Sequence, residues 1–231
     1  MFYSSSFPRE AQVSKPLPCI SKVRFGAFLA YSPRGTSADS ILSRRIAYGI
    51  KNATAGYIKY AVSRLLAEMV DGKCANLLYE VLGKDVLVVP CPRSSPLVPG
   101  ALWPPKEICD ELVSLGLARE SAAILERVTA VPKSSTAAAG ARPKPLDHIK
   151  SMKVVDQTDF APERITIVDD VITRGSTLLA AASHIRHVFP EAEISVFAMV
   201  RTTGLIPEVG KIMDPVIGEV FLSGVDADRK P

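Results

Sequence analysis

Two adjacent carboxylates, Asp169 and Asp170, stand where a β-branched run meets a loop of small hydroxylated residues. The run Ile165-Thr166-Ile167-Val168 has the composition of a strand buried on both faces of a parallel sheet. After the pair come Val171, Ile172, Thr173, Arg174, Gly175, Ser176 and Thr177, then Leu178, Ala182, Ile185 and Phe189 at the spacing of one helix face. The order is strand, acidic pair, loop, helix. A helix start offers unpaired amide N–H groups and the positive end of a dipole, which together hold a phosphate. Gly175 lets the backbone come close, and the hydroxyls of Thr173, Ser176 and Thr177 add donors. Asp169 and Asp170 only accept, so they suit vicinal hydroxyls or a Mg²⁺-bound water. A phosphate cradle beside a hydroxyl-binding acidic pair fits a sugar 5-phosphate and points to a ribose phosphate.

Two other readings compete. A loop of Ser and Thr also caps helices, and an acidic pair after a strand also occurs in phosphoacceptor receiver domains. That fold places its pair after the first strand, and too little chain follows here to complete it.

The stretch Val168-Asp169-Asp170-Val171-Ile172-Thr173-Arg174-Gly175-Ser176-Thr177 resembles the phosphoribosyl-diphosphate (PRPP) binding motif of type I phosphoribosyltransferases. That motif is a hydrophobic strand, two acidic residues, two variable positions and a Thr/Gly/Ser loop, far more specific than a lone glycine pattern. Arg174 stands where the family more often has a small residue. The resemblance implies that Val171 and Thr173 to Thr177 bind the phosphate. It also implies that Asp169 and Asp170 hold the ribose hydroxyls and, through water, Mg²⁺ as cofactor.

At 231 residues, with 47% hydrophobic and 23% charged residues, the chain has room for one α/β domain and an accessory piece. No apolar run approaches the ~20 residues of a membrane span. Met1 to Ile20 lacks a continuous apolar core and carries Glu10, which argues against a secretory signal. Cys19, Cys74, Cys91 and Cys109 are scattered and read as reduced thiols of a cytoplasmic protein. A net charge of +4 is compatible with polyphosphate ligands or nucleic acid and decides neither.

The acidic pair has to be positioned by the elements on either side of it in the chain. Residues 1–24 form a tail or edge segment. Residues 25–83 open with a strand from Phe25 to Tyr31, followed by helices carrying Ile41, Leu42, Ile46 and Ile50, and then Ile58, Val62, Leu65, Leu66 and Met69. This front section resembles the start of competence-protein F-like phosphoribosyltransferases, and is expected to form a hood over the site. Arg44, Arg45 and Lys51 on its first helix read as a solvated basic face or a nucleic-acid patch.

Residues 84–204 form the core. Val86 to Pro90 is its first strand, and Cys91, Pro92, Arg93 and Ser94 follow at the end where open α/β sheets bind ligands. In the resembled family this is the pyrophosphate loop; a Pro-rich turn explains the same residues. Cys91 has no readable base beside it and is not a candidate nucleophile. Pro104 to Leu117 is an amphipathic helix with Trp103 at its entry, and Ala122 to Val131 reads as a strand. The irregular stretch from Pro132 to Lys150 carries Lys133, Arg142, Lys144 and Lys150, which suits a lid over a polyphosphate. The resemblance makes Arg142 the lid's catalytic arginine and Lys133 a ligand contact, although the Gln usual in that branch is absent and Pro143 follows Arg142. His184 and His187 lie on the helix after the phosphate loop and read as surface residues, without a third metal ligand. Glu193 to Val200 is another buried strand, and Arg201 to Gly204 closes the core at its carboxyl end. Residues 205–231 return to the hood and end in a polar tail.

The expected fold is therefore α/β: a doubly wound, mostly parallel sheet of the type I phosphoribosyltransferase kind, with a small hood. The expected activity is transfer of a phosphoribosyl group from PRPP to a nitrogenous acceptor with release of diphosphate. The alternative is a non-catalytic PRPP- or nucleotide-binding regulatory protein, antitoxin-like or attached to a helicase or other nucleic-acid machinery. A second copy of the chain, as a homodimer, stays open as a partner. No membrane partner is expected.

Overall fold

The computed structural model describes residues 17–71, 76–132, 142–155, 162–204 and 206–231. Their centre is a seven-stranded sheet in the order β3-β2-β6-β7-β1-β8-β9. These are β1 (Lys22–Tyr31), β2 (Gly83–Pro90), β3 (Ala118–Ser121), β6 (Arg164–Ile172), β7 (Glu193–Thr202), β8 (Met213–Ser223) and β9 (Asp226–Lys230). The first five in sheet order run parallel, and β8 and β9 add an antiparallel hairpin. A short β4 (Leu125–Arg127) pairs antiparallel with β5 (Met152–Val154) beside this sheet.

Alternation along the strands divides the core in two. Val86 and Val88 of β2 and Val168 of β6 pack with α1 (Ala38–Lys51), α2 (Tyr57–Val70) and α3 (Pro104–Ser114) on one face. Leu87, Val89, Ile165 and Ile167 pack under α5 (Ser176–Val188) on the other. Apolar residues on both faces of each inner strand require helices on both sides, as in a doubly wound sheet.

Local signals set the helix limits. Ser37 caps α1 by accepting from the Ser40 amide at 3.2 Å. Glu208 accepts from the Thr36 and Ser37 amides at 2.8 and 3.0 Å and from Ser40 Oγ at 2.7 Å, pinning the helix start to the 206–209 segment. α3 begins at Pro104 and Pro105, where a missing N–H costs nothing. No described helix is long and apolar enough to cross a membrane.

Several elements differ from expectation. β1 lies inside the sheet between β7 and β8, and the expected polar tail contains β9. Both stretches assigned to a hood thus supply strands to the central sheet. The reason for β1 is its burial: Phe25, Ala27 and Phe28 are fully enclosed, so the strand needs neighbours on both edges. The strand expected at 122–131 is replaced by β3, which starts at Ala118 soon after α3 ends at Ser114, and by three-residue β4. Within the stretch read as wholly irregular, Pro145–Lys150 forms α4, with Asp147 accepting from the Lys144 amide at 2.9 Å.

Candidate functional site

The acidic pair lies in the last part of β6, followed in the strand by Val171 and Ile172. Its neighbour β2 ends beside it: Pro90 is level with Val168, and the Cys91 amide donates to Val168 O at 2.8 Å. The chain leaves β2 outward to β3, but leaves β6 toward β7. The strand order therefore reverses between β2 and β6, the place where an open α/β sheet leaves a crevice. Both candidate loops, 91–95 and 173–177, stand over it.

Gly175 occupies the turn into α5 with φ +94. A Cβ there would lie 2.6 Å from Val220 Cγ1, so conformation and space both require glycine. No side chain caps α5, and the amides of Arg174 to Leu178 find no acceptor among the described residues. They face a cavity of about 120 Å³ lined by Asp169, Val171, Thr173, Arg174, Ser176 and Thr177, together with Lys51, Arg142 and Asp226. A fan of orphan donors at a helix N-terminus favours an anion.

The two carboxylates are half-buried and answer to local amides. The Asp170 N–H donates to Asp169 Oδ1 at 3.0 Å, and the Val171 N–H to Asp170 Oδ1 at 2.7 Å. Burial first, and then the charge of Asp170, push the Asp169 carboxyl well above its ordinary range. Burial also raises Asp170, with the Lys51 ammonium pulling the other way. Two crowded carboxylates favour a nearby cation. No group of three or more metal-ligating side chains occurs among the described residues. The donor set fits Mg²⁺ held by one or two carboxylates together with the oxygens of a bound ligand, the usual arrangement for that ion.

The 91–95 loop is held differently. Cys91 is 1% exposed; burial and then the Asp169 charge push its thiol well up, leaving it protonated and inert. Trp103 donates from Nε1 to Cys91 O at 2.8 Å and so anchors the loop to the start of α3. Pro92 and Arg93 line a second hollow, of about 320 Å³, with Trp103, Leu125 and Arg127. The Arg93 side chain is therefore not among the residues around the acidic pair. Ser94 belongs to neither lining. Lys133 lies outside the described residues.

Five residues of the site were not singled out as ligand contacts by type or spacing. Lys51 was read with a basic face, but it lines the cavity. Its neighbours on α1 are engaged elsewhere: Arg44 donates to Pro33 O and Gly35 O, and Arg45 to the Tyr57 hydroxyl. Arg127 is 5% exposed and has no carboxylate partner among the described residues; it donates from Nε to Arg93 O at 2.8 Å and from Nη1 to Ser151 Oγ at 2.6 Å. His148 of α4 lies 3.3 Å from Thr177 Oγ1, and burial brings its imidazole down to about 4, so it is neutral at physiological pH. Asp226 and Arg229 come from β9, and Arg229 donates from Nε to Thr173 O at 2.6 Å. A single isolated Arg or His carries no motif, so no local signal in the sequence points to these contacts.

One surface assignment changes. His184 is half-buried with Nε2 3.0 Å from Ile149 O, because α4 packs over α5; His187 is exposed. Arg201, at the carboxyl end of β7, is ion-paired with Asp214 of β8. No protein-family model matches the chain, and no curated protein matches it either.

Proposed function

We propose that this chain is a phosphoribosyltransferase that binds PRPP with Mg²⁺ and passes the 5-phosphoribosyl group to a nitrogenous acceptor. One observation carries the reading: a fan of unclaimed amides from Arg174 to Leu178 directly follows an acidic pair at the sheet's switch point. The amides and the Ser176 and Thr177 hydroxyls would take the 5-phosphate. Asp169 and Asp170 would accept from the ribose hydroxyls.

In the reaction, an acceptor nitrogen forms a bond to C1 of the ribose as the bond from C1 to the diphosphate oxygen breaks. The bonding electrons leave with diphosphate, which takes up the proton that the nitrogen loses. Positive charge grows on the sugar ring, and the two carboxylates beside it would stabilise that charge. Lys51 and Arg142 line the same cavity and would balance phosphate charge. Asp169 and Asp170 are the residues that would hold Mg²⁺, which when bound would supply charge screening for the diphosphate. The rest of the catalysis is positional.

A regulatory reading of the same ligand site shares every contact up to C1. Its nucleic-acid version has less support, since Arg44 and Arg45 are tied to backbone carbonyls and Tyr57.

The test is calorimetric titration of PRPP with Mg²⁺ into the chain and into the Asp169→Asn/Asp170→Asn double variant. Binding in the parent and none in the variant is expected, followed by diphosphate release with a suitable base. A parent that binds no PRPP would sink the reading.

A further inference from the structure

We infer that Arg127 and Arg229, both outside the two loops they touch, orient the loop amides, and that each thereby tunes one of two anion subsites. The inference rests on the phosphoribosyl reading of the site. In a planar trans peptide the carbonyl and the next residue's N–H point in opposite directions. A donor that captures a loop carbonyl therefore turns the following amide the other way and cancels the negative end of a dipole that an anion would meet.

Around the 5-phosphate loop this donor is Arg229. Its Nε holds Thr173 O at 2.6 Å, and its Nη2 reaches Thr202 O at the end of β7. The guanidinium lies over the Phe25 ring, 5.7 Å from its centroid, so its plane is fixed by three neighbours. The peptide that follows carries the Arg174 N–H, the first of the unclaimed amides. Val220 of the adjoining β8 packs against Gly175, so one hairpin braces both ends of the turn.

Around the 91–95 loop the corresponding donor is Arg127. Its Nε holds Arg93 O at 2.8 Å, while the Val131 amide takes Ser94 O at 2.8 Å and Trp103 takes Cys91 O. Three carbonyls of this loop are thus captured from outside. Those of Arg93 and Ser94 orient the Ser94 and Ser95 amides, whereas Cys91 O precedes Pro92, which has no N–H, and serves only to anchor the loop. The amides of Arg93, Ser94 and Ser95 are left without an acceptor among the described residues. Arg127 Nη2 itself is buried without a hydrogen-bond partner, and the guanidinium feels the Asp169 charge without an ion pair to it among the described residues. A buried cation with a spare donor, beside a loop of free amides, suits the leaving diphosphate. Both arginines are positioning residues.

The experiment is a double dissociation on the full chain with Arg229→Gln and Arg127→Gln. Ribose 5-phosphate is one probe; the other is Mg²⁺-diphosphate, titrated with ribose 5-phosphate already saturating. Arg229→Gln should weaken ribose 5-phosphate roughly tenfold, the value of one hydrogen bond to a charged group. It should leave diphosphate within about twofold, as for separated sites. Arg127→Gln should do the reverse. Equal losses on both probes, or none on either, would overturn the inference while leaving the function intact. A parent that binds neither probe would instead overturn the function. If Arg127→Gln melts below the assay temperature, Arg127→Lys replaces it, keeping the charge but not the fork that serves both Arg93 O and Ser151 Oγ. If neither Arg127 variant folds, the Arg229 arm alone decides.

Discussion

At the residue scale, the acidic pair trades stability for function. A carboxylate whose folded pKa is raised destabilises the native state once pH exceeds its unfolded value, because folding then opposes ionisation. Asp169→Asn should therefore raise the melting midpoint at pH 7 while abolishing PRPP binding; a lower midpoint would show that the pair is not strained. His148 carries the opposite sign. Its folded pKa of about 4 lies below the ordinary 6.5, so its contribution is complete above pH 6.5 and is lost as pH falls through that window. The slope approaches about 1.4 kcal/mol per pH unit there. Denaturant melts of the parent and of His148→Gln between pH 7 and 4 should show a shallower decline in the variant. Gly175→Ala should cost about 1–3 kcal/mol, from its φ of +94 and the contact with Val220, and should weaken ribose 5-phosphate binding as well.

At the element scale, α1 separates support from chemistry along one helix. Its first turn is held by Ser37 and Glu208, and its last residue, Lys51, lines the cavity. Ser37→Ala should cost about 1 kcal/mol of stability with ligand affinity unchanged. Lys51→Ala should do the converse: affinity falls and the melt barely moves. Measuring both on each variant checks the separation. The unit of β6, loop and α5 was legible from sequence because its signals are local: a β-branched run, two acids, a glycine at the turn and apolar residues at helical spacing. Arg127, His148 and Arg229 were not legible. Their roles arise from contacts with Arg93, Thr177 and Thr173, which the topology brings together across long stretches of chain. The small β4–β5 pair was missed for the same reason, since three-residue strands leave no periodicity to read.

At the scale of the whole molecule, alternating strands and helices identified a doubly wound sheet, but not its membership. Nothing in the run Phe25 to Tyr31 distinguishes an inner strand from one set apart; its neighbours do. Arg24 is level with Ser195 on one side, and Phe25 with Gly218 on the other. Pairings so distant in sequence must close long loops before they are rewarded, which slows folding and leaves strand edges open meanwhile. β1 is therefore an apolar ribbon with two unsatisfied edges until β7 and β8 dock, a template for wrong pairing in a crowded solution. A strand that sits inside the native sheet is thus the one most exposed to wrong contacts while its partners are still to arrive.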